Sequence, residues 1–246
     1  MVPPMKTIIL AAGLGNWLGT VTNTMPKALV QVAGIPLIIH VIRFARQLHT
    51  KDIVVVGGCK SDMLAEALGN EDITYVENPD YRLGNLYSLN CARPYMKHGF
   101  IQLNTDHLFP SRVATLLGNV DGGIHLVSDF DRRLFDDDMK IRIGPCHNEQ
   151  DGITAISKKL RQFDGGYCGI TVAKDEGVTP YFSALDRVFG RNDPQAVVED
   201  VMTELIADGI CPTIADISGV RWLEVDTAEE LANARRILRM VPAFLE

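Results

Sequence analysis

Close to its start the chain runs a short apolar strand, Thr7–Ala12, into a glycine turn, Gly13-Leu14-Gly15-Asn16-Trp17-Leu18-Gly19, and Pro26-Lys27 follows one loop later. Glycines at such a turn let backbone N–H groups approach a ligand closely, as an anion requires. Lys27 adds a point charge on a flexible stem that can follow phosphate oxygens. The spacing excludes two familiar phosphate loops. A dinucleotide fingerprint needs G-x-G-x-x-G, but Leu18 holds the third glycine's place and Gly19 comes one position late. The second strand runs from Val56 into Gly57-Gly58, without the acidic residue that would bind a ribose. No Gly-Lys-Ser/Thr follows, so this is not a P-loop.

The rest of the first half alternates strand and helix patterns. Apolar residues recur at helical spacing over Pro36–Leu48. Asp52–Val56 and Ile73–Val76 read as strands on either side of a helix over Asp62–Leu68, with Ser61 as its cap. A helix over Asn85–Tyr95 leads to a strand over Phe100–Leu103, which ends at Asn104-Thr105-Asp106. Such alternation implies right-handed crossovers and a mainly parallel sheet, with ligands beyond the carboxyl ends of the strands. The glycine turn and Asp106 both fall on such ends.

The second half is less regular. Strands are expected at Gly123–Ser128, Lys140–Ile143, Gly152–Ile156 and Tyr167–Val172, the middle two antiparallel. Helices are expected over Ala196–Asp208 and Ala228–Met240, with Thr227 and Glu230 forming a capping box at the start of the second. No repeat or linker interrupts the chain, so residues 1–246 are expected to form a single domain.

At 246 residues the chain can bury roughly 70–75% of its unfolded surface. A net charge of −7 argues against a nucleic-acid backbone as partner. The five cysteines, Cys59, Cys91, Cys146, Cys168 and Cys211, show neither C-x-x-C pairs nor zinc spacing and read as unpaired thiols of a reducing cytosol. The first residues, Met1-Val2-Pro3-Pro4-Met5-Lys6, contain no long apolar region, and no run is long enough for a membrane helix. A cytoplasmic protein is expected.

The combination L-A-A-G-x-G-x-x-L followed by P-K-x-L resembles the nucleotidyltransferases that activate sugar phosphates and phosphoalcohols. Asp106-His107-Leu108-Phe109 resembles the inositol-1-phosphate cytidylyltransferase branch in particular, and Gly84-Asn85-Leu86-Tyr87-Ser88-Leu89 resembles an element of the cytidylyltransferases of inositol phosphate and, more loosely, phosphocholine. Trp222-Leu223-Glu224-Val225-Asp226-Thr227 resembles the segment that supplies the family's second metal-binding Asp. The resemblance implies an α/β, Rossmann-like three-layer sandwich with a mixed, mainly parallel central sheet. It further implies Mg²⁺ held by Asp106 and Asp226, and Lys27 stabilising charge at the α-phosphate. Nucleotide contacts are expected from Leu10, Ala11, Ala12, Gly13, Leu14, Gly15, Asn16, Trp17 and Lys27, and from Asn85, Ser88 and Asp106. Asp129, Lys140 and Tyr167 are expected to contact the acceptor, Lys140 through its phosphate. His107 is expected to be structural, because an acceptor phosphate is already an anion and needs no base.

The activity implied is transfer of a nucleotidyl group from an NTP, first of all CTP, to a small phosphorylated acceptor such as inositol 1-phosphate, or to a phosphonate, with pyrophosphate leaving. A homodimer is compatible with this. Two departures keep alternatives open. Family loops carry Arg where this chain has Trp17, which leaves room for a nucleotide-binding module with weakened turnover. Gly165-Gly166-Tyr167-Cys168-Gly169 replaces a more polar run of the family, which leaves the acceptor open; a sugar 1-phosphate with UTP or TTP is a further pairing.

Overall fold

The computed structural model describes residues 5–48, 50, 52–146 and 151–246. The leader reading at Met1–Pro4 falls outside them. The strands are β1 (Lys6–Leu10), β2 (Gln31–Val32), β3 (Ile35–Pro36), β4 (Asp52–Gly57), β5 (Thr74–Glu77), β6 (Phe100–Asn104), β7 (His107–Leu108), β8 (Ile124–Asp129), β9 (Lys140–Pro145), β10 (Asp151–Ser157), β11 (Gly165–Ala173), β12 (Thr213–Asp216) and β13 (Leu223–Glu224). The helices are α1 (Leu37–Ala45), α2 (Ser61–Leu68), α3 (Asn85–Ala92), α4 (Ser111–Leu117), α5 (Asp175–Gly190), α6 (Val198–Ala207) and α7 (Ala228–Met240).

The central sheet is mixed and mainly parallel. β5, β4, β1 and β6 lie side by side and parallel. β11 then enters antiparallel between β6 and β8, and β12 runs parallel to β8. The start of β11 also pairs with β9, which forms a hairpin with β10. Two apolar clusters cover the two faces. Ile9, Val55, Ile101 and Leu103 pack with α1, α2 and α4 on one side. Ile8, Val54, Val56 and Phe100 pack with α3, α5 and α6 on the other. The alternation of side chains along each buried strand makes both faces apolar.

The chain builds outward from β1 to β4 and β5, then returns to place β6 on the opposite side of β1. The direction of winding therefore reverses between β1 and β6. A crevice opens at the carboxyl ends of two strands at such a point, and ligands bind there in open α/β sheets. Thr105 ties the crevice together by donating its hydroxyl to the Leu10 carbonyl.

Several expectations are adjusted. Lys60, with φ of 51°, occupies the cap position of α2, while the Ser61 hydroxyl bonds Tyr75 Oη at 2.8 Å instead. α3 ends at Ala92, where Pro94 forces a tighter turn over Arg93–Tyr95. Pro180 inside α5 hides that helix from a periodicity reading. The capping box of α7 is present as expected. The expectation of unpaired cysteines is corrected: Cys146, beyond β9, is disulfide-bonded to Cys211, with Cα atoms 6.1 Å apart. The Ile153 N–H donates to the Pro212 carbonyl at 2.9 Å, so β10 brings together two cysteines 65 residues apart. Cys59, Cys91 and Cys168 are free. Among the described residues no helix is long and apolar enough to cross a membrane.

Candidate functional site

Lys27, Asp106 and Asp226 meet at the crevice. Asp106 follows the end of β6. Asp226 reaches it because β13 pairs antiparallel with β7, and the Val225 N–H donates to the Asp106 carbonyl at 2.9 Å. Lys27 arrives from the other side, on a short turn that Pro26 opens and the Val30 N–H closes onto the Lys27 carbonyl. Its ammonium donates to Asp106 Oδ2 at 2.8 Å and also to Asp226. Burial opposes the lysine's charge, but the two carboxylates outweigh it and hold the ammonium above its ordinary range. Burial likewise opposes ionisation of Asp106, yet Lys27 and His107 keep its carboxyl well below the usual carboxylate range.

His107 lies between two carboxylates. Its Nδ1 lies 2.5 Å from Asp106 Oδ1 and its Nε2 lies 3.8 Å from Glu224. Burial pulls its pKa down, but Asp106 and Glu224 hold it above the usual histidine value. The ring stacks on Trp222 at 5.3 Å, and the Arg132 guanidinium covers the indole at 4.3 Å. Gly169, with φ of 73°, leaves room for this packing: a Cβ there would come within 3.0 Å of Asn104 Nδ2 and His107 Nε2.

The glycine loop borders the lysine. Leu10, Ala11 and Ala12 are buried at and beyond the end of β1. Gly15, with φ of 67°, lies against the Lys27 stem, where a Cβ would come within 2.8 Å of Lys27 Cβ. Among the described residues the N–H groups of Gly13, Leu14 and Gly15 donate to no protein acceptor. Gly13, Asn16 and Trp17 are exposed, Trp17 at 78%. That exposed indole brings no charge to the loop. Trp17→Arg is therefore expected to tighten CTP binding about tenfold or more, through one charge-assisted contact to phosphate. Calorimetric titration of CTP checks this, and an unchanged affinity means that the loop does not hold the phosphates.

Beyond the carboxylates opens a cavity of about 530 Å³, lined by Asn85, Asp129, Arg132, Lys158, Tyr167 and Glu199 among others. Of the contacts expected around it, Asn85, Asp129 and Tyr167 line this cavity, and Lys140 and Ser88 do not. Lys140 is redirected: its buried ammonium donates to the carbonyls of Phe135, Asp136, Asp138 and Lys158 and so pins the loop before β9. It does not line the cavity, whose basic residues are Arg132, Lys158, Lys159 and His107. Ser88 is also redirected, because it is buried and its hydroxyl accepts from Asn78 Nδ2 at 2.9 Å. Asn85 reaches the cavity wall, with its Oδ1 accepting from the Val198 N–H at 3.1 Å. Asp129 lines the cavity but accepts from the N–H groups of Asp131 and Arg132 and from Trp222 Nε1. Tyr167 offers its ring to the cavity while its hydroxyl bonds Thr171 at 2.8 Å.

Lys140→Met is expected to destabilise the fold by about 1–3 kcal/mol, because it orphans buried carbonyls. A fall in the thermal midpoint, with acceptor KM little changed in the folded variant, checks the reassignment.

Residues 7–133, just over half of the chain, match the model of the MobA-like NTP transferase domain. The chain belongs to that family. It is 28% identical over 239 residues to the bifunctional IPC transferase and DIPP synthase of Archaeoglobus fulgidus, covering 95% of this chain and 44% of that protein. Over 108 residues it is 36% identical to the choline-phosphate cytidylyltransferase of Streptococcus pneumoniae, covering 43% of this chain and 46% of the other. The chain spans about half the length of the first of these relatives. The solved inositol-1-phosphate CTP transferase from T. maritima superposes with a TM-score of 0.82 at 21% identity, covering 99% of this chain and 97% of that one. That likeness concerns the fold: a nucleotidyltransferase sheet with its helices in place.

Proposed function

We propose that this chain is a cytidylyltransferase that joins CTP to a small phosphoalcohol, with inositol 1-phosphate as the first acceptor to test. The observation that carries this reading is the convergence of Lys27, Asp106 and Asp226 at the crevice between β1 and β6, with a free-amide glycine loop on one side and a cavity on the other. The relatives named for IPC transferase and choline-phosphate cytidylyltransferase support the choice of base and acceptor.

In the proposed reaction an acceptor phosphate oxygen attacks the α-phosphorus of CTP in line. The new P–O bond forms as the bond to the β-phosphate oxygen breaks, and pyrophosphate leaves with the electron pair. The chain's part is positioning and charge. The loop amides of Gly13, Leu14 and Gly15 bind phosphate oxygens, and Lys27 stabilises charge growing on the α-phosphate. His107 holds Asp106 Oδ1, which leaves Oδ2 turned toward Lys27.

Asp106 and Asp226 fit a divalent cation. Both carboxylates already converge on one positive charge, and hard carboxylate oxygens suit Mg²⁺. Among the described residues no cluster of three or more His, Cys, Asp or Glu could hold a metal, so phosphate oxygens and water would complete the shell. Bound there, Mg²⁺ would offset the negative charge of the triphosphate. It would also let a chain of net charge −7 take up that ligand.

Pyrophosphate release measured across CTP, UTP, TTP and a panel of phosphorylated acceptors tests the reading. Release with CTP and a phosphoalcohol is expected, dependent on both Mg²⁺ and Asp106. Release only with UTP or TTP and a sugar 1-phosphate replaces the base and acceptor assignment. CTP binding without turnover for any acceptor reduces the chain to a nucleotide-binding module.

A further inference from the structure

The turn between β4 and α2 grips the glycine loop at both ends. Gly58 brings the turn against the start of the loop, where a Cβ would come within 2.9 Å of Ala12 Cβ. Ahead of the loop, the Cys59 N–H donates to the Ala12 carbonyl at 3.3 Å. Behind it, the Lys60 ammonium donates to the Thr22 carbonyl at 2.7 Å. Thr22 is buried, and its hydroxyl reaches back to the Gly15 carbonyl at 2.9 Å and the Gly19 carbonyl at 3.3 Å. Its methyl group and the Lys27 stem also crowd Gly15, where a Cβ would come within 2.9 Å of Thr22 Cγ2 and 2.8 Å of Lys27 Cβ.

We propose that Lys60 is a positioning residue for the triphosphate, acting through Thr22 to fix the loop amides of Gly13, Leu14 and Gly15; this rests on the transferase reading above. The polarity of the bonds carries it. The carbonyls of Ala12, Gly15, Gly19 and Thr22 are all engaged by donors of the chain. Among the described residues the N–H groups of Gly13, Leu14 and Gly15 donate to no protein acceptor. A loop with its acceptors tied down and its donors free is completed by an anion. Its affinity depends on a shape set beforehand, because ordering the loop at the moment of binding subtracts from affinity. Glycines at 13, 15 and 19 give the loop little stiffness of its own, so the stiffness comes from the turn beside it. Lys60 itself lies in the left-handed region, with φ of 51°, a backbone that glycine adopts without a steric penalty. What glycine lacks is the ammonium that reaches Thr22. Lys27 keeps Asp106 and Asp226 without this latch, so the latch bears on triphosphate binding and not on the chemical step.

The test compares wild type with Lys60→Met and Thr22→Val, both checked for native fold by circular dichroism. Thr22→Val keeps the side-chain shape and the carbonyl that Lys60 binds, and removes only the hydroxyl. CTP and inorganic tripolyphosphate, which carries the phosphates without the base, are titrated by calorimetry in Mg²⁺. Steady-state pyrophosphate release gives kcat and the two KM values. Lys60→Met should raise KM and Kd for CTP about tenfold, and Thr22→Val about threefold or more. Kd for tripolyphosphate should rise in the same proportion, with kcat and the acceptor KM unchanged. A rise in Lys60→Met with none in Thr22→Val overturns the proposal, because it makes Lys60 a direct phosphate contact. A fall in kcat at constant KM, or unchanged CTP binding in Lys60→Met, also overturns it. If no acceptor turns over, the transferase reading fails by itself. Calorimetry still decides on the latch: Kd values that rise in both variants support it, and equal values or no binding of either ligand to any of the three proteins overturns it.

Discussion

Lys27→Met should lower kcat for nucleotidyl transfer by about 10²- to 10³-fold, with a smaller change in KM for CTP. The ammonium is preorganised between two carboxylates, Asp106 beyond β6 and Asp226 beyond β13. Removing one donor aimed at developing charge costs that much where the site excludes water. The loop amides of Gly13, Leu14 and Gly15 remain and continue to bind phosphates, which is why the loss falls on kcat. Steady-state pyrophosphate release over a CTP series separates the two parameters. A loss confined to KM contradicts a transition-state role and makes Lys27 a simple binding contact.

Asp106→Asn should cost at least about 10²-fold in rate and also shift the Mg²⁺ concentration at half-maximal rate upward. The amide removes a hard anionic oxygen from the carboxylate pair. It also takes the counter-charge from Lys27 and from His107. The second effect distinguishes this variant, because Lys27→Met leaves both carboxylates and should keep its Mg²⁺ requirement. Mg²⁺ titrations of the two variants against wild type check the distinction. Identical Mg²⁺ curves for wild type and Asp106→Asn would rule out Asp106 as a metal ligand.

Much of this arrangement is legible in the sequence because it is local. The apolar run Thr7–Ala12, its glycine turn and the strand ending before Asp106 each carry their own signal, and the crossover rules then place them side by side. Thr227 and Glu230 announce α7 within four residues. What is not legible depends on partners far away in the chain. Lys140 looks like a phosphate ligand in the sequence, and only the fold shows four carbonyls gathered around it. Ser88 looks available for a base, but Asn78 takes it inside the packed core. Arg132 is one of two arginines in an acidic loop, and nothing local marks its seat on Trp222. The Cys146–Cys211 pair is hidden for the same reason, since β10 and its contact to Pro212 bring the two together.

The central claim is that the triphosphate sits where Lys27, Asp106 and Asp226 converge. A crystal structure with CTP and Mg²⁺ tests it most directly. The account predicts one divalent ion ligated by Asp106 and Asp226, Lys27 Nζ in hydrogen-bond reach of the α-phosphate, and loop amides on the outer phosphates. A triphosphate bound elsewhere, with Lys27 still clamped between the two carboxylates and no ion between them, would contradict it.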